Sequence, residues 1–212
     1  MLKKFKNTVI TTAVSAMLLC SASTVASQVS DIKHELQQKL ASVAGFKAEF
    51  NQDVIDADGN LIQQSNGHLA VKRPNFLHWQ TLAPDETLVI SDGQTLWFYN
   101  PFVEQVSAYA INNAVANTPI LLLTGLNEQA WDDYRVEKQL DDRYLIVSKD
   151  ENAQVISLQL TFANGLISTF TVTDATGQLS QFRLTDMVTT PQPSPSLFMF
   201  ELPEGVDLDD QR

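Results

Sequence analysis

The most informative stretch of the sequence for the fold is Gly67-His68-Leu69-Ala70-Val71-Lys72-Arg73-Pro74-Asn75-Phe76-Leu77-His78-Trp79. Apolar residues alternate along its first half, which is typical of a half-buried β-strand, and a second apolar run follows the proline. Because proline cannot donate a backbone hydrogen bond, Arg73-Pro74 predicts a break between strands. The role of Arg73 stays open at this point: its guanidinium either lies in solvent at the sheet rim or binds carboxylates or free carbonyls.

Alternating patterns on both sides of this stretch predict further antiparallel strands. Residues 46–54 alternate apolar and polar side chains before the turn at residues 56–60. Downstream, Asp92-Gly93 separates two β-rich runs, which indicates a hairpin. Residues 191–195 are predicted to form a loop and residues 205–212 a polar tail. Other strands are predicted at residues 102–109, 134–136, 144–147, 155–162, 166–173, 179–184 and 197–200.

Two segments have helical patterns. Ser30 is a candidate N-cap for an amphipathic helix ending at Gly45, whose apolar stripe is Ile32, Leu36, Leu40 and Val43. The second segment, residues 112–126, contains Thr118 as a candidate cap and Pro119 in the first turn. Its apolar run covers residues 120–123. Because it is apolar all round, we expect this helix to be covered on every side.

About ten strands and two helices predict a mainly β fold with one strongly curved antiparallel sheet and the helices on its concave side. A sheet curved around so few helices encloses either a filled core or an apolar cavity. The pattern of the sequence does not decide between these two outcomes.

The N-terminus has the order of a secretory signal. Basic residues precede the apolar run at residues 9–19, and small residues follow, so we expect cleavage near residue 26 or 27. The expected organisation is a signal peptide over residues 1–27 and a single domain over residues 28–212. Cys20 would then leave with the signal, and Leu19 before it fits lipoprotein processing poorly. We therefore expect an exported protein without disulfide bonds or a lipid anchor.

The net charge and the spacing of the reactive side chains argue against several classes of function. A net charge of −11 argues against nucleic acid and anionic membrane surfaces as partners. The sequence has no Gly-rich phosphate loop and no metal-ligand spacing among its three histidines. The paired acids, which a glycosidase would need in a cleft, fall in predicted turns or in the tail: Asp132-Asp133, Asp141-Asp142 and Asp209-Asp210. We therefore expect no enzyme, metal or cofactor.

Several segments together resemble the outer-membrane lipoprotein carrier family, LolA, over nearly the whole exported chain. The most specific is the run from Asp92-Gly93 through Thr95-Leu96-Trp97-Phe98-Tyr99 to Asn100-Pro101, combined with the earlier Arg73-Pro74-Asn75. The remaining segments are Phe46-Lys47-Ala48-Glu49-Phe50-Asn51-Gln52, Pro84-Asp85-Glu86, Asn117-Thr118-Pro119 and Asp209-Asp210-Gln211-Arg212. One departure is Phe76-Leu77, where the family has the reverse order.

This resemblance implies an incomplete, open antiparallel β-barrel with a helical lid over an apolar cavity that takes acyl chains. The arginine matching Arg73 is then a latch that binds backbone carbonyls of the lid, here those of Leu40, Leu123 and Thr124. Carbonyls at helix ends lack intrahelical partners, which makes them suitable acceptors. Leu77 is expected to contact a partner protein. The expected cavity and lid residues are Phe50, Trp79, Val89, Ile120, Leu121 and Leu123.

The resemblance also implies a function. We expect a periplasmic chaperone, a monomer without nucleic-acid partners, that binds acylated lipoproteins as cargo. It would receive them from an inner-membrane ABC lipoprotein-release complex (LolCDE-like) and deliver them to an outer-membrane receptor (LolB-like). Two alternatives remain: a LolB-type receptor, which an acylated Cys20 would favour, and a periplasmic hydrolase.

Overall fold

The computed structural model describes residues 23–114, 119–125 and 128–212. Strands dominate the described chain, and they are β1 (Gly45–Ile55), β2 (Leu61–Lys72), β3 (Phe76–Thr81), β4 (Thr87–Asp92), β5 (Thr95–Asn100), β6 (Gln105–Ala110), β7 (Tyr134–Gln139), β8 (Arg143–Ser148), β9 (Val155–Ala163), β10 (Leu166–Asp174), β11 (Leu179–Val188) and β12 (Asp207–Gln211). The helices are α1 (Ser23–Ala41) and α2 (Ile111–Ala114), with 3₁₀ helices at Pro119–Thr124, Glu128–Trp131 and Pro195–Phe198.

All twelve described strands join one sheet in the order β12-β6-β5-β4-β3-β2-β1-β11-β10-β9-β8-β7. Neighbouring strands are antiparallel except β12, which runs parallel to β6. The Arg73-Pro74 break lies in the tight connection between β2 and β3, where Lys72 pairs with Phe76. Because β12 and β7 remain as free edges, the sheet is open, and the prediction of a mainly β, open antiparallel sheet is confirmed.

The core lies on one face of the sheet, called the inner face here. Alternate residues of the strands point to it, as the pleat of a strand requires. Leu36 and Leu40 of α1 join the same buried cluster, and so do residues 120–123 of the first 3₁₀ helix. We call Pro119–Thr124 the short lid helix. As predicted, its apolar residues are covered, because Leu121 and Leu122 are both 0% exposed.

The outer face carries a smaller apolar cluster. Phe76 of β3 lies 5.4 Å, centroid to centroid, from Phe198, and Trp97 of β5 stacks on Phe200 at 5.1 Å. The Nδ1 atom of His78 bonds to the carbonyl of Leu197 at 2.7 Å. The segment around Pro195–Phe198 therefore covers the outer ends of β3 and β4, and His78 is partly buried and bonded instead of solvated.

Four local predictions differ from the structure. The helix predicted from Ser30 begins at Ser23 and ends at Ala41, because Gly45 already starts β1. Of the helix predicted at residues 112–126, the described residues form one turn of α-helix at Ile111–Ala114 and a 3₁₀ helix at Pro119–Thr124; the predicted cap Thr118 lies outside the described residues. Residues 197–200 form no strand, since Ser194 caps a 3₁₀ turn there. The predicted tail is the edge strand β12, where backbone pairing with β6 needs no apolar side chains.

Candidate functional site

Four aromatic rings form the centre of the inner face. The Trp79 ring lies 4.7 Å from Phe50 and 4.9 Å from Phe182, measured between centroids. Phe170 stacks on Phe182 at 4.5 Å with an interplanar angle of 16°. These residues come from β3, β1, β10 and β11. Phe170 and Phe182 are direct cross-strand partners, and Phe182 pairs with Gln52, two residues along β1 from Phe50. The only polar atom of the cluster, the Trp79 Nε1–H, donates weakly to Thr81 Oγ1 at 3.4 Å.

Gly67 makes room for this aromatic cluster. A Cβ atom at Gly67 would lie 2.5 Å from Cζ of Phe50 and would also overlap the carbonyl oxygen of Gln80. The Phe50 ring therefore lies directly on the backbone of β2, which only glycine permits. Our sequence reasoning missed this residue, although a single glycine inside a strand pattern is a known signal of close approach.

The predicted cavity and lid residues converge on this interior. Phe50 is 1% exposed, and Trp79 and Val89 are partly buried residues that pack against the same cluster. Residues 120–123 of the short lid helix complete it from the other side. The predicted residues thus meet in one place, and their role in holding a ligand stays a prediction.

Little free space lies between α1, the short lid helix and this part of the sheet. Between the lid and the sheet, the space open to the centres of water molecules is about 20 Å³, and it is bordered by Leu40, Val43, Phe46, Val71 and Leu123 among others. That volume is close to what a single water molecule needs. An acyl chain of a dozen or more CH₂ groups does not fit into this space.

Arg73 lies at the boundary between this apolar space and a second, polar cleft of about 260 Å³. The cleft lies between α1 and the short lid helix, and its lining includes His34, Gln37, Gln38 and Gly125. The side chain packs against Gly125, where a Cβ atom would come within 2.6 Å of Nη1. Gly125 has φ of +83°, a backbone conformation that favours glycine. Burial lowers the pKa of Arg73 below its usual value.

The hydrogen bonds predicted from Arg73 to the carbonyls of Leu40, Leu123 and Thr124 do not form between the described residues. The Thr124 carbonyl instead accepts from the backbone N–H of Asn75 at 2.9 Å, and the Leu40 carbonyl accepts from Val43 at 3.4 Å. The first of these bonds links the short lid helix to the β2–β3 connection. Arg73 therefore lies beside the lid, as predicted, but it contacts the lid by packing against Gly125 and not by the predicted hydrogen bonds.

Asn75 is a second residue that sequence reasoning missed. It adopts a left-handed conformation with φ of 67°, and its carbonyl accepts from Ser91 Oγ at 2.5 Å. Its side-chain oxygen is buried and has no hydrogen-bond partner among the described residues. The signal was available, because asparagine after proline is typical of a turn that needs positive φ. Its N–H is the polar contact between the sheet and the Thr124 carbonyl of the lid.

The prediction that Leu77 faces a partner protein is wrong for this structure. Leu77 is 1% exposed and belongs to the core. Strand geometry gives the reason: residues two apart share a face, so Leu77 lies on the same side as Trp79. The neighbouring Phe76 points outward and is partly covered by Phe198.

Ion pairs connect α1 to the β7–β8 end of the sheet. The bonds that hold it are Lys33 Nζ to Asp132 at 2.9 Å, Lys138 Nζ to Glu35 at 2.6 Å, Lys39 Nζ to Asp142 at 2.6 Å, and Tyr144 OH to Glu35 at 2.7 Å. Hydrogen bonds from Lys138 and Tyr144 lower the pKa of Glu35. Burial and the bond to Glu35 raise the pKa of Tyr144 to about 12. Charged side chains thus fix α1 on its outer side, while Leu36 and Leu40 fix it on the inner side.

No group of three or more His, Cys, Asp or Glu side chains in residues 23–114, 119–125 and 128–212 is arranged to hold a metal ion. Within the same part of the chain, none of the helices combines the length and apolar character that crossing a membrane requires.

Comparison with known proteins decides the family. The profile of the outer membrane lipoprotein carrier protein LolA matches residues 41–201 of this chain. The chain belongs to the LolA family. Its relatives include the outer-membrane lipoprotein carrier protein of Proteus mirabilis, 43% identical over 92% of this chain and 98% of that protein. The protein of the same name from Aeromonas salmonicida is 39% identical over 94% of this chain and 97% of its own length.

A solved structure supports the fold of this LolA family member. The putative outer membrane lipoprotein-sorting protein domain from Vibrio parahaemolyticus superposes with a TM-score of 0.50 over 82% of this chain and 97% of that chain. The two sequences are only 14% identical, so this likeness concerns the fold alone.

Proposed function

We propose that this protein is a non-enzymatic periplasmic carrier that binds the acyl chains of lipoproteins and carries them to the outer membrane. Residues 28–212 would form the carrier domain after removal of residues 1–27. The observation that carries the proposal is the closed apolar interior, where four aromatic rings lie under a lid of apolar residues. The names of the relatives, outer-membrane lipoprotein carrier proteins, support the same function.

The physical need for such a carrier follows from the cost of exposing lipid to water. At about 0.8 kcal/mol per CH₂ group, one acyl chain costs on the order of 10 kcal/mol to hold in an aqueous compartment. An apolar interior that opens for the chain removes most of this cost. Since the empty interior is already filled by lid side chains, the lid residues exchange places with the ligand.

The short lid helix is the element that we propose to move. Its buried leucines contact apolar side chains of the sheet, and an acyl chain can replace those contacts without leaving a charge unpaired. Arg73 would act as the latch by packing between α1 and Gly125 in the empty state. When cargo leaves, the lid contacts and the Asn75–Thr124 bond form again, which offsets part of the binding energy and makes release possible.

The partners in this proposal are an inner-membrane ABC lipoprotein-release complex of the LolCDE type and an outer-membrane receptor of the LolB type. The acidic charge supports a protein that does not adsorb to anionic membranes between these two steps: it is −11 for the whole sequence and becomes more negative when Lys3, Lys4 and Lys6 leave with residues 1–27. Leu77 is not part of the proposed partner surface, because its side chain is buried in the core.

A release assay with paired variants tests the carrier function. Val89→Asp places a charge on the inner face, whereas Leu88→Asp places one at the adjacent position on the outer face of the same strand. We expect wild-type protein and Leu88→Asp to release a labelled lipoprotein from vesicles containing the ABC complex, and Val89→Asp to release several-fold less. Equal release by the two variants, or no lipoprotein bound to the wild-type protein, would contradict the proposal.

A further inference from the structure

We infer that the polar cleft between α1 and the short lid helix is a binding site for an oxoanion, a carboxylate or a phosphate, with the guanidinium of Arg73 as its main ligand. The site stands on the geometry of the empty protein. Its consequence for lid closure rests on the proposed carrier function.

The first argument is that the charge of Arg73 lacks a partner within the described chain. A guanidinium has five N–H donors in a fixed plane, and burial without an ion pair is unfavourable for it. None of the described residues that line the two spaces beside Arg73 is an aspartate or glutamate. By contrast, the nearby cations Lys33 and Lys39 on α1 each have a carboxylate partner. An external anion would supply the missing charge.

The second argument is the shape and lining of the cleft. Its space of about 260 Å³ is far above the roughly 10–15 Å³ that one water molecule needs. His34, Gln37 and Gln38 of α1 contribute an imidazole and two amides beside the guanidinium. The exposed side chains of His34 and Gln38 contact each other at the cleft, with 2.8 Å between their Nε2 atoms. Amide N–H groups and a planar guanidinium together suit the oxygens of a carboxylate or phosphate.

Gly125 positions the arginine for this task. Its positive φ and missing Cβ let Nη1 of Arg73 lie against the end of the short lid helix. Any larger residue would displace the guanidinium from the cleft. The cleft therefore exists only while the short lid helix is in place.

The consequence follows from linkage. A ligand that binds only one of two states stabilises that state. An oxoanion bound between α1, Arg73 and Gly125 would favour the closed, empty carrier, and it would be lost when the short lid helix moves for cargo.

The test is a titration of the purified empty protein with inorganic phosphate, and separately with acetate, at constant ionic strength set by sodium chloride. Magnetic resonance would follow the Nε–H signal of Arg73 and the backbone amide of Gly125. We expect saturable shifts with at least one of the two anions, and a higher unfolding temperature in its presence. A response to phosphate alone would assign the site to phosphate groups, and an equal response to acetate would assign it to carboxylates.

Variants separate this site from general charge effects. Arg73→Gln should weaken binding at least tenfold, whereas Arg183→Gln, at an exposed arginine on the outer face, should leave it unchanged. If Arg73→Gln unfolds, Gly125→Ala provides the second variant, with the same loss expected. Unsaturable shifts, or equal binding in wild-type protein and Arg73→Gln, would overturn the inference. Cargo release measured without added phosphate or acetate tests the carrier function independently.

Discussion

α1 and the short lid helix cover the same apolar interior, yet they are attached to the sheet in different ways. α1 has ion pairs to the region of β7 and β8 on its outer side and buried leucines on its inner side. The contacts of the short lid helix that the structure describes are apolar side chains and the backbone bond from Asn75 to Thr124.

The type of contact indicates which of the two helices an acyl chain can displace. Apolar contacts exchange for other apolar contacts at little cost, because they have no preferred direction. Breaking an ion pair leaves charges that must find new partners or water. We therefore expect α1 to stay on β7 and β8 while the short lid helix moves.

The largest expected effect on stability comes from replacing a buried leucine by alanine, once in α1 and once in the short lid helix. Leu36 and Leu122 are both 0% exposed. We expect Leu36→Ala to lower the free energy of unfolding by about 2–5 kcal/mol, which is typical of buried leucines. Leu122→Ala should lower the free energy of unfolding less than Leu36→Ala does, because the short lid helix can open locally. It should also increase the binding of an apolar dye to the folded protein more than Leu36→Ala does. Urea unfolding and dye fluorescence give both quantities; the reverse order would contradict the comparison.

Arg73→Leu should have the next largest effect. It removes the charged group that packs between α1 and Gly125, so the closed state loses contacts on both sides. We expect several-fold more dye binding by the empty protein and several-fold slower transfer of lipoprotein to a receptor. Arg183→Leu serves as the control. Unchanged transfer by Arg73→Leu would remove the latch role from this residue.

Lys39→Met probes the ionic attachment of α1. Lys39 bonds to Asp142 and its Nζ also lies 4.8 Å from the centroid of the Phe162 ring. We expect a loss of about 0.2–1 kcal/mol, as for other partly exposed pairs, and a smaller loss at high salt. Hydrogen exchange of the α1 amides measures it. Arg135→Met breaks a pair within β7 and should leave α1 unaffected; equal effects would show that the pair does not act on α1.

The smallest expected effect is the pH dependence at Glu35. Bonds from Lys138 and Tyr144 lower its pKa below the usual 4.5. Because the pKa is lower in the folded state, the stabilisation is complete above about pH 4.5 and is lost as the pH falls through the lowered pKa. Protection of α1 amides should therefore fall in acid for wild-type protein and less for Glu35→Gln. An identical pH profile in both would exclude Glu35 as the titrating group.

Sequence patterns predicted strands and a covered apolar segment correctly, because the order of apolar and polar residues reflects which side chains are buried. Alternation in β1 and the Asp92-Gly93 turn predicted strands that the structure contains. The apolar run at residues 120–123 predicted a covered segment, which the short lid helix is. The position of Arg73 beside the lid came from resemblance to the family, since the local sequence left its direction open.

Other features required the folded chain. Leu77 and Phe76 are both large and apolar, so composition does not tell which one points inward; the pairing of β3 with β2 and β4 decides it. The polar segment at residues 207–211 pairs with β6 through its backbone, and its side chains carry no sign of that pairing.

The order of apolar and polar residues was enough to predict a mainly β fold with a buried apolar face, because burial follows from that local order, and the family resemblance added that the sheet is open. Only the tertiary structure decided how the interior is closed. The Lys39–Asp142 pair joins residues 103 positions apart, and the Asn75–Thr124 bond depends on backbone atoms that every residue has. Contacts of this kind depend on three-dimensional proximity, and no local pattern records it.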